Sequence, residues 1–313
     1  MSSTSSSLLS IALILCTSLI VSQYSSSARA AEAGQKQVPL FVFAEFFRLP
    51  LWKPYLEPAQ HRFAGGANFA SGGAGVLSQT HPGTISLREQ LSYFKDVVST
   101  LKQQFGEAET KRKLMRAIYL FSMGGNDYFS FYTSYPNASE SAQKEYVSIV
   151  IGNLTEVIEE IYQIGGRKIA FQNVGALGCV PLNRQKTGDG SCAEEANALA
   201  RTHNHALAES LLSLGSRLPG FKYSIFDYYH AILDRVSHPT KYGFTNGTSA
   251  CYTGNQPGKT STKPSLCSDP SKYVWFDSGH TTEACNWQLS KLIWKGKKGI
   301  VSPYNVKQLY ELL

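Results

Sequence analysis

Two short segments carry residue types that could do acid–base chemistry. In Asp277-Ser278-Gly279-His280 a carboxylate stands three residues before a histidine on a tight loop. A carboxylate so placed can hold an imidazole in one tautomer, which is the base and orienter half of a Ser-His-Asp triad. In Met123-Gly124-Gly125-Asn126-Asp127 two glycines precede an asparagine. Glycines allow a sharp turn at the end of a strand, and a side-chain amide there can donate to a developing oxyanion. A third stretch, Asn68 to Gly75, is rich in glycine and offers backbone N–H groups, but it lacks the lysine of a phosphate-binding P-loop. His203 and His205 are two apart on a helical pattern and point away from each other, so His203, on the apolar stripe, reads as a core histidine and not as a metal ligand.

These groups need strands and helices to hold them. Short apolar, β-rich runs occur at Val38–Phe43, Ala117–Ser122, Lys168–Asn173, Lys222–Asp227 and Tyr273–Phe276. Their near-continuous apolar character suits strands covered on both faces. Helical patterns alternate with them. Glu145–Ile164 repeats Val150, Leu154, Val157, Ile158 and Ile161 and is stopped by Gly165-Gly166, and Ala193–Leu218 carries Leu199, His203, Leu207, Leu211, Leu214 and Leu218 on one stripe. The alternation predicts an α/β fold, a doubly wound parallel sheet in three layers, with ligands beyond the carboxyl ends of the strands. The two chemical segments follow Ala117–Ser122 and Tyr273–Phe276, where such a fold places function.

The 313 residues suffice for one large α/β domain, and the hydrophobic share of 42% excludes a chain too polar to fold. The 30 basic residues outnumber 23 acidic ones, a net charge of +7, but they are scattered. The tight cluster is Lys295, Lys297 and Lys298. The distribution reads as a solvated surface, with no nucleic-acid partner.

The N-terminus reads as a targeting segment. Leu8–Val21 is an apolar stretch of roughly 14 residues, too short to span a bilayer comfortably. Ala28-Arg29-Ala30 offers a small-x-small cleavage site. Residues 1–30 are therefore expected to be a signal peptide, with a mature single domain over 31–313 that has no transmembrane span. Sequons at Asn137, Asn153 and Asn246 agree with secretory entry. Cysteine spacing adds to this. Cys179 with Cys192, and Cys251 with Cys267, lie in Gly/Pro/Ser-rich stretches and are expected to form bridges, leaving Cys285 free. The absence of C-x-x-C argues against a zinc site, and no metal or other cofactor is expected.

Taken together, Asn68-Phe69-Ala70-Ser71-Gly72-Gly73-Ala74-Gly75, Gly124-Gly125-Asn126-Asp127-Tyr128, Leu177-Gly178-Cys179-Val180-Pro181 and Phe276-Asp277-Ser278-Gly279-His280, in this order, resemble the plant GDSL esterase/lipase family of the SGNH hydrolase superfamily. Phe-Asp-Ser-Gly-His and the ending Leu292-Ile293-Trp294-Lys295-Gly296 resemble most the myrosinase-associated, epithiospecifier-modifier-like branch. The resemblance implies a flavodoxin-like, three-layer SGNH fold, with His280 as general base and Asp277 as its orienting partner. Asn126 would be an oxyanion donor, and a backbone N–H of Gly72 or its neighbour Gly73 a second one. It further implies an acyl-ester or lipid ligand, or a partner in a myrosinase or β-glucosidase complex. The destination would be extracellular, vacuolar or an ER-derived body.

One block of that pattern is missing. The family reads F-V-F-G-D-S, with the nucleophilic serine after the first strand. Here Phe41-Val42-Phe43 runs directly into Ala44-Glu45-Phe46-Phe47, and no Gly-Asp-Ser occurs anywhere. The first strand–helix connection is thus truncated, as an internal deletion would leave it. Without the serine a triad retains only about 10³–10⁴-fold of rate over water. Ser71 and Ser278 are the hydroxyls nearest the remaining blocks, but neither sits on a strand-to-helix elbow. The sequence therefore favours a secreted, catalytically inactive binding or modifier protein over an active carboxylic-ester hydrolase.

Overall fold

A computed structural model describes residues 12–16 (as backbone), 54–57, 63, 65–254 and 264–312. In chain order the elements are β1 (Ala12–Cys16), β2 (Gly66–Asn68), α1 (Leu87–Arg116), β3 (Ile118–Ser122), α2 (Gly125–Ser134), α3 (Glu140–Ile164) and β4 (Lys168–Gln172). There follow α4 (Pro181–Arg184), α5 (Glu194–Arg217), β5 (Lys222–Phe226), α6 (Tyr228–Ser237), β6 (Asn246–Ala250), β7 (Tyr252–Thr253) and β8 (Ser265–Leu266). The chain closes with β9 (Tyr273–Trp275), α7 (Glu283–Lys295), β10 (Val301–Pro303) and α8 (Val306–Glu311).

The main sheet runs β10-β5-β4-β3-β1-β2, with β1 to β5 parallel and β10 antiparallel on the β5 edge. The parallel part has the flavodoxin-like order 2-1-3-4-5, whose reversal point lies at β1 and β3. On one face α1 packs on α3 and α3 on α5; α7 and α8 pack together, with α8 against β5. This is the three-layer α/β fold that the alternation predicts.

The helices form for the reasons their sequences give. Ser86 and Glu89 make a capping box at the start of α1. Ser139 caps α3, which ends at Gly165 with φ 131°. The stripe of Val150, Leu154, Val157, Ile158 and Ile161 is buried against the sheet. On α5, Leu199, His203, Leu207, Leu211 and Leu214 are buried in the same way. Between strands, Phe121 stacks on Phe171 with centroids 5.6 Å apart.

Two elements depart from the sequence expectation. Tyr273–Trp275 does not join the main sheet; it pairs in parallel with β6 in a two-stranded sheet of its own. Its partners come instead from the neighbouring loop: it pairs with Asn246–Ala250, and the Cys251 and Tyr252 amides donate to the Trp275 and Phe276 carbonyls at its end. The second departure is β1. It stands second from the edge of the sheet, between β3 and the edge strand β2, with Ala12–Ile14 paired to β2 and Ala12–Cys16 to β3. These residues lie inside the segment whose apolar run reads as a signal peptide. The expected strand Val38–Phe43 and the Phe43–Ala44 junction lie outside the described residues.

Both expected disulfides are present, Cys179–Cys192 and Cys251–Cys267, and Cys285 is a buried free thiol. Among the described residues no helix is long and apolar enough to cross a membrane.

Candidate active site

The reversal point of the sheet gathers two of the chemical segments. The Gly-rich loop follows β2, and the Gly124-Gly125-Asn126-Asp127 turn follows β3. Gly124 is the N-cap of α2 with φ 102°, a left-handed conformation that glycine adopts without a Cβ clash. A Cβ there would also lie 3.0 Å from Cε1 of His203.

The first turn of α2 is stitched to the Gly-rich loop. Asn126 is fully buried, and its Nδ2 donates to the Ala74 carbonyl at 2.8 Å. Asp127 is fully buried as well. Its carboxylate accepts from the Val76 N–H at 2.9 Å, the Leu77 N–H at 3.0 Å and the Thr80 hydroxyl at 2.5 Å. Burial pushes the Asp127 carboxyl upward, against the pull of these hydrogen bonds. Gly75 fits because it has no side chain: a Cβ would fall 2.4 Å from Thr80 Oγ1 and 2.6 Å from Asp127 Oδ1. Gly72 stands at the exposed apex of the loop, whereas Gly73 is buried and its carbonyl meets His81 Nδ1 at 2.6 Å. Of the two glycines, Gly72 is the exposed one.

The His280–Asp277 loop is built separately. His280 Nδ1 lies 2.9 and 2.8 Å from the two Asp277 carboxylate oxygens. Asp277 Oδ1 also accepts from the Gly279 and His280 N–H groups at 2.9 and 2.8 Å, which closes the turn. Burial pushes the Asp277 carboxyl up, but the His280 hydrogen bond and charge, with the two N–H donors, outweigh it and leave it below the usual carboxylate range. An ionised Asp277 fixes Nδ1 as the protonated nitrogen and leaves Nε2 as the basic one. The Trp275 indole anchors the preceding strand to the Gly247 carbonyl at 2.9 Å. The Leu182 N–H donates to the Ser278 carbonyl at 3.0 Å. Lys186, just past α4, in turn stands over Phe129 and Tyr132 of α2. The α4 region thus ties the histidine loop to the helix that carries Asn126.

The Ser71 hydroxyl accepts the Ile85 N–H at 3.1 Å, inside the Gly-rich loop. Ser278 lies between Asp277 and His280 on the closed turn, with its carbonyl engaged by Leu182. Residues 17–53, which follow β1, lie outside the described residues.

Three residues escape a sequence reading. Asp127 and Thr80 hold the loop but are 47 positions apart, and the Asn-Asp pair alone reads as a turn. His203 is a core histidine, as its stripe predicts, but it also supports Gly124. Its Nδ1 lies 2.6 Å from the Tyr128 hydroxyl, and its Nε2 has no partner among the described residues. Burial lowers the His203 imidazole to about 3 from an ordinary 6.5. A histidine whose value is depressed in the fold contributes stability above its unfolded value and loses it as pH falls. Lowering the pH from 7 to 5 is therefore expected to remove about 2 kcal/mol through this residue alone. Urea unfolding of the protein and its His203→Gln variant at both pH values checks this; an equal pH dependence in the two would contradict it.

Residues 37–293 match the family model described as GDSL-like Lipase/Acylhydrolase. A GDSL lipase of Tanacetum cinerariifolium is 41% identical over 294 residues, covering 92% of this chain and 78% of that protein. GDSL esterase/lipase 3 of Arabidopsis thaliana is 41% identical over 280 residues, covering 84% and 76%. A protein of the same plant named inactive GDSL esterase/lipase-like protein 25 is 34% identical over 271 residues, covering 86% and 63%.

Proposed function

The chain belongs to the GDSL-like lipase/acylhydrolase family, and from that premise we propose that it is a secretory-pathway member that binds an acyl or lipid ligand without turning it over. The observation that carries the proposal is the His280–Asp277 pair in a sequence without a Gly-Asp-Ser block. The His280–Asp277 pair and the Asn126 and Gly72 positions are held in place, while no Gly-Asp-Ser exists in the sequence. A relative of 34% identity that is named inactive lends the reading some support. The ending Leu292–Gly296 and the Phe-Asp-Ser-Gly-His loop motivate a modifier role in a myrosinase or β-glucosidase-type complex.

Cleavage after Ala30 and glycans at Asn137, Asn153 and Asn246 belong to the same proposal; cleavage would take β1 with it, and the place between β2 and β3 would then fall to other residues. Asn137 is exposed in the turn before α3. Asn246 accepts the Thr248 and Ser249 N–H groups, and the Asn153 amide donates to the Ile149 carbonyl within α3.

A second reading, an active ester hydrolase, is favoured by the intact base and orienter. In it a hydroxyl gives its proton to His280 Nε2 as its oxygen attacks the acyl carbon, and the proton then passes to the leaving alcohol. One experiment separates the two. Purified protein is expected to hydrolyse a short-chain activated ester no faster than its His280→Ala variant, because without a nucleophile the imidazole has no hydroxyl proton to take. A drop of about 10²-fold or more in the variant, with fluorophosphonate labelling of a serine, would establish the hydrolase instead.

A further inference from the structure

The lysine cluster at Lys295–Lys298 has no part in the site above. It continues a stripe on α7. Trp287, Lys291 and Lys295 are four residues apart and share one face. All three are exposed, while Cys285, Leu289, Ile293 and Trp294 bury the opposite face. The loop that follows adds exposed Lys297, Lys298 and Ile300.

Charge and apolar surface coincide here. Lys291 Nζ lies 4.8 Å from the centre of the Trp287 ring, and Trp287 and Ile300 are each 37% exposed. Among the described residues Lys291, Lys295, Lys297 and Lys298 make no ion pair, whereas the nearby Lys307 is paired with Glu311. No acidic residue occurs from Ala284 to Tyr310. The acidic neighbours are Glu283, at the far end of the stripe, and Asp227, whose N–H meets the Ile300 carbonyl and whose carboxylate is held by His230.

We propose that this face docks the protein on anionic phospholipid bilayers. Indole rings settle at the boundary between headgroups and acyl chains, and lysines around them gain from the negative surface potential. A nucleic acid fits the same surface less well. One face of the Trp287 ring is covered by Lys291, and the stretch from Ala284 to Leu312 has no arginine to grip phosphates bidentately. The docking stands independently of whether the protein hydrolyses esters.

Sedimentation with vesicles of phosphatidylcholine alone, or with one third phosphatidylserine, tests it on the full chain. Binding is expected to the anionic vesicles only, and to fall as salt rises. Replacing Lys295, Lys297 and Lys298 together by alanine is expected to lower partitioning about 10²-fold. Trp287→Ala is expected to weaken binding at every salt concentration. These positions are exposed, so the thermal midpoints are expected to hold; should the alanine variant fail to fold, the same three positions changed to glutamine give the comparison. Equal binding to neutral vesicles, no binding to either, or undiminished binding by folded variants would overturn the proposal. So would retention on an oligonucleotide at salt that strips the protein from vesicles.

Discussion

A chain that begins at Ala31 is expected to lose the amide protection of β2 and β3. In the fold, β1 lies between those strands and pairs with Gly66–Asn68 on one side and Ile118–Ser122 on the other. Taking it away separates the edge strand β2 from the rest of the sheet and leaves β2 and β3 each without a partner on that side. Ladder hydrogen bonds contribute about 1 kcal/mol each, so the loss is about 5–10 kcal/mol, comparable with the whole net stability of a domain. Hydrogen exchange at Ile118–Ser122, with urea midpoints for the full and shortened chains, measures it. Cleavage after Ala30 and pairing of Ala12–Cys16 exclude each other in one molecule. Unchanged protection in the shortened chain would mean that other residues occupy the place beside β3.

The second large effect is expected from Asp127→Ala. The substitution leaves the Val76 and Leu77 N–H groups and the Thr80 hydroxyl without their acceptor in a buried site. Leaving buried donors unsatisfied costs about 1–3 kcal/mol per group, and some relaxation toward water reduces the sum, so about 3–5 kcal/mol is expected. The loop that presents Gly72 should loosen with it, since its hydrogen bonds to α2 are then the Asn126–Ala74 bond and a 3.5 Å one from the Ser130 hydroxyl to the Thr80 carbonyl. Denaturant unfolding gives the first quantity, and proteolysis between Gly72 and Thr84 reports the second. A loss below 1 kcal/mol would show that water replaces the carboxylate and that Asp127 does not organise the loop. Asp127→Asn keeps the shape but turns one acceptor into a donor facing an N–H, and is expected to fall between the two.

Much of this molecule is written locally. The stripes on Glu140–Ile164 and Glu194–Arg217, the stop at Gly165 and the cysteine spacings are each settled within about one to two turns or one loop, so the sequence alone identifies these two helices, though not the others, and both bridges. The Asp277–His280 pair is legible for the same reason: three residues on one turn suffice to bring Nδ1 against the carboxylate. Long-range closure is not local. Asp127 reaches Thr80 across 47 positions, and Tyr128 reaches His203 across 75, through partners that no periodicity marks.

The strand between β2 and β3 shows the limit most plainly. An apolar run such as Ala12–Cys16 serves equally as the hydrophobic part of a leader or as a strand buried on both faces, because both demand the same side chains. Sequence determined that this run must leave water. The tertiary structure pairs it with β2 and β3, a placement its side chains do not specify, since backbone hydrogen bonds depend on which strands stand free beside it.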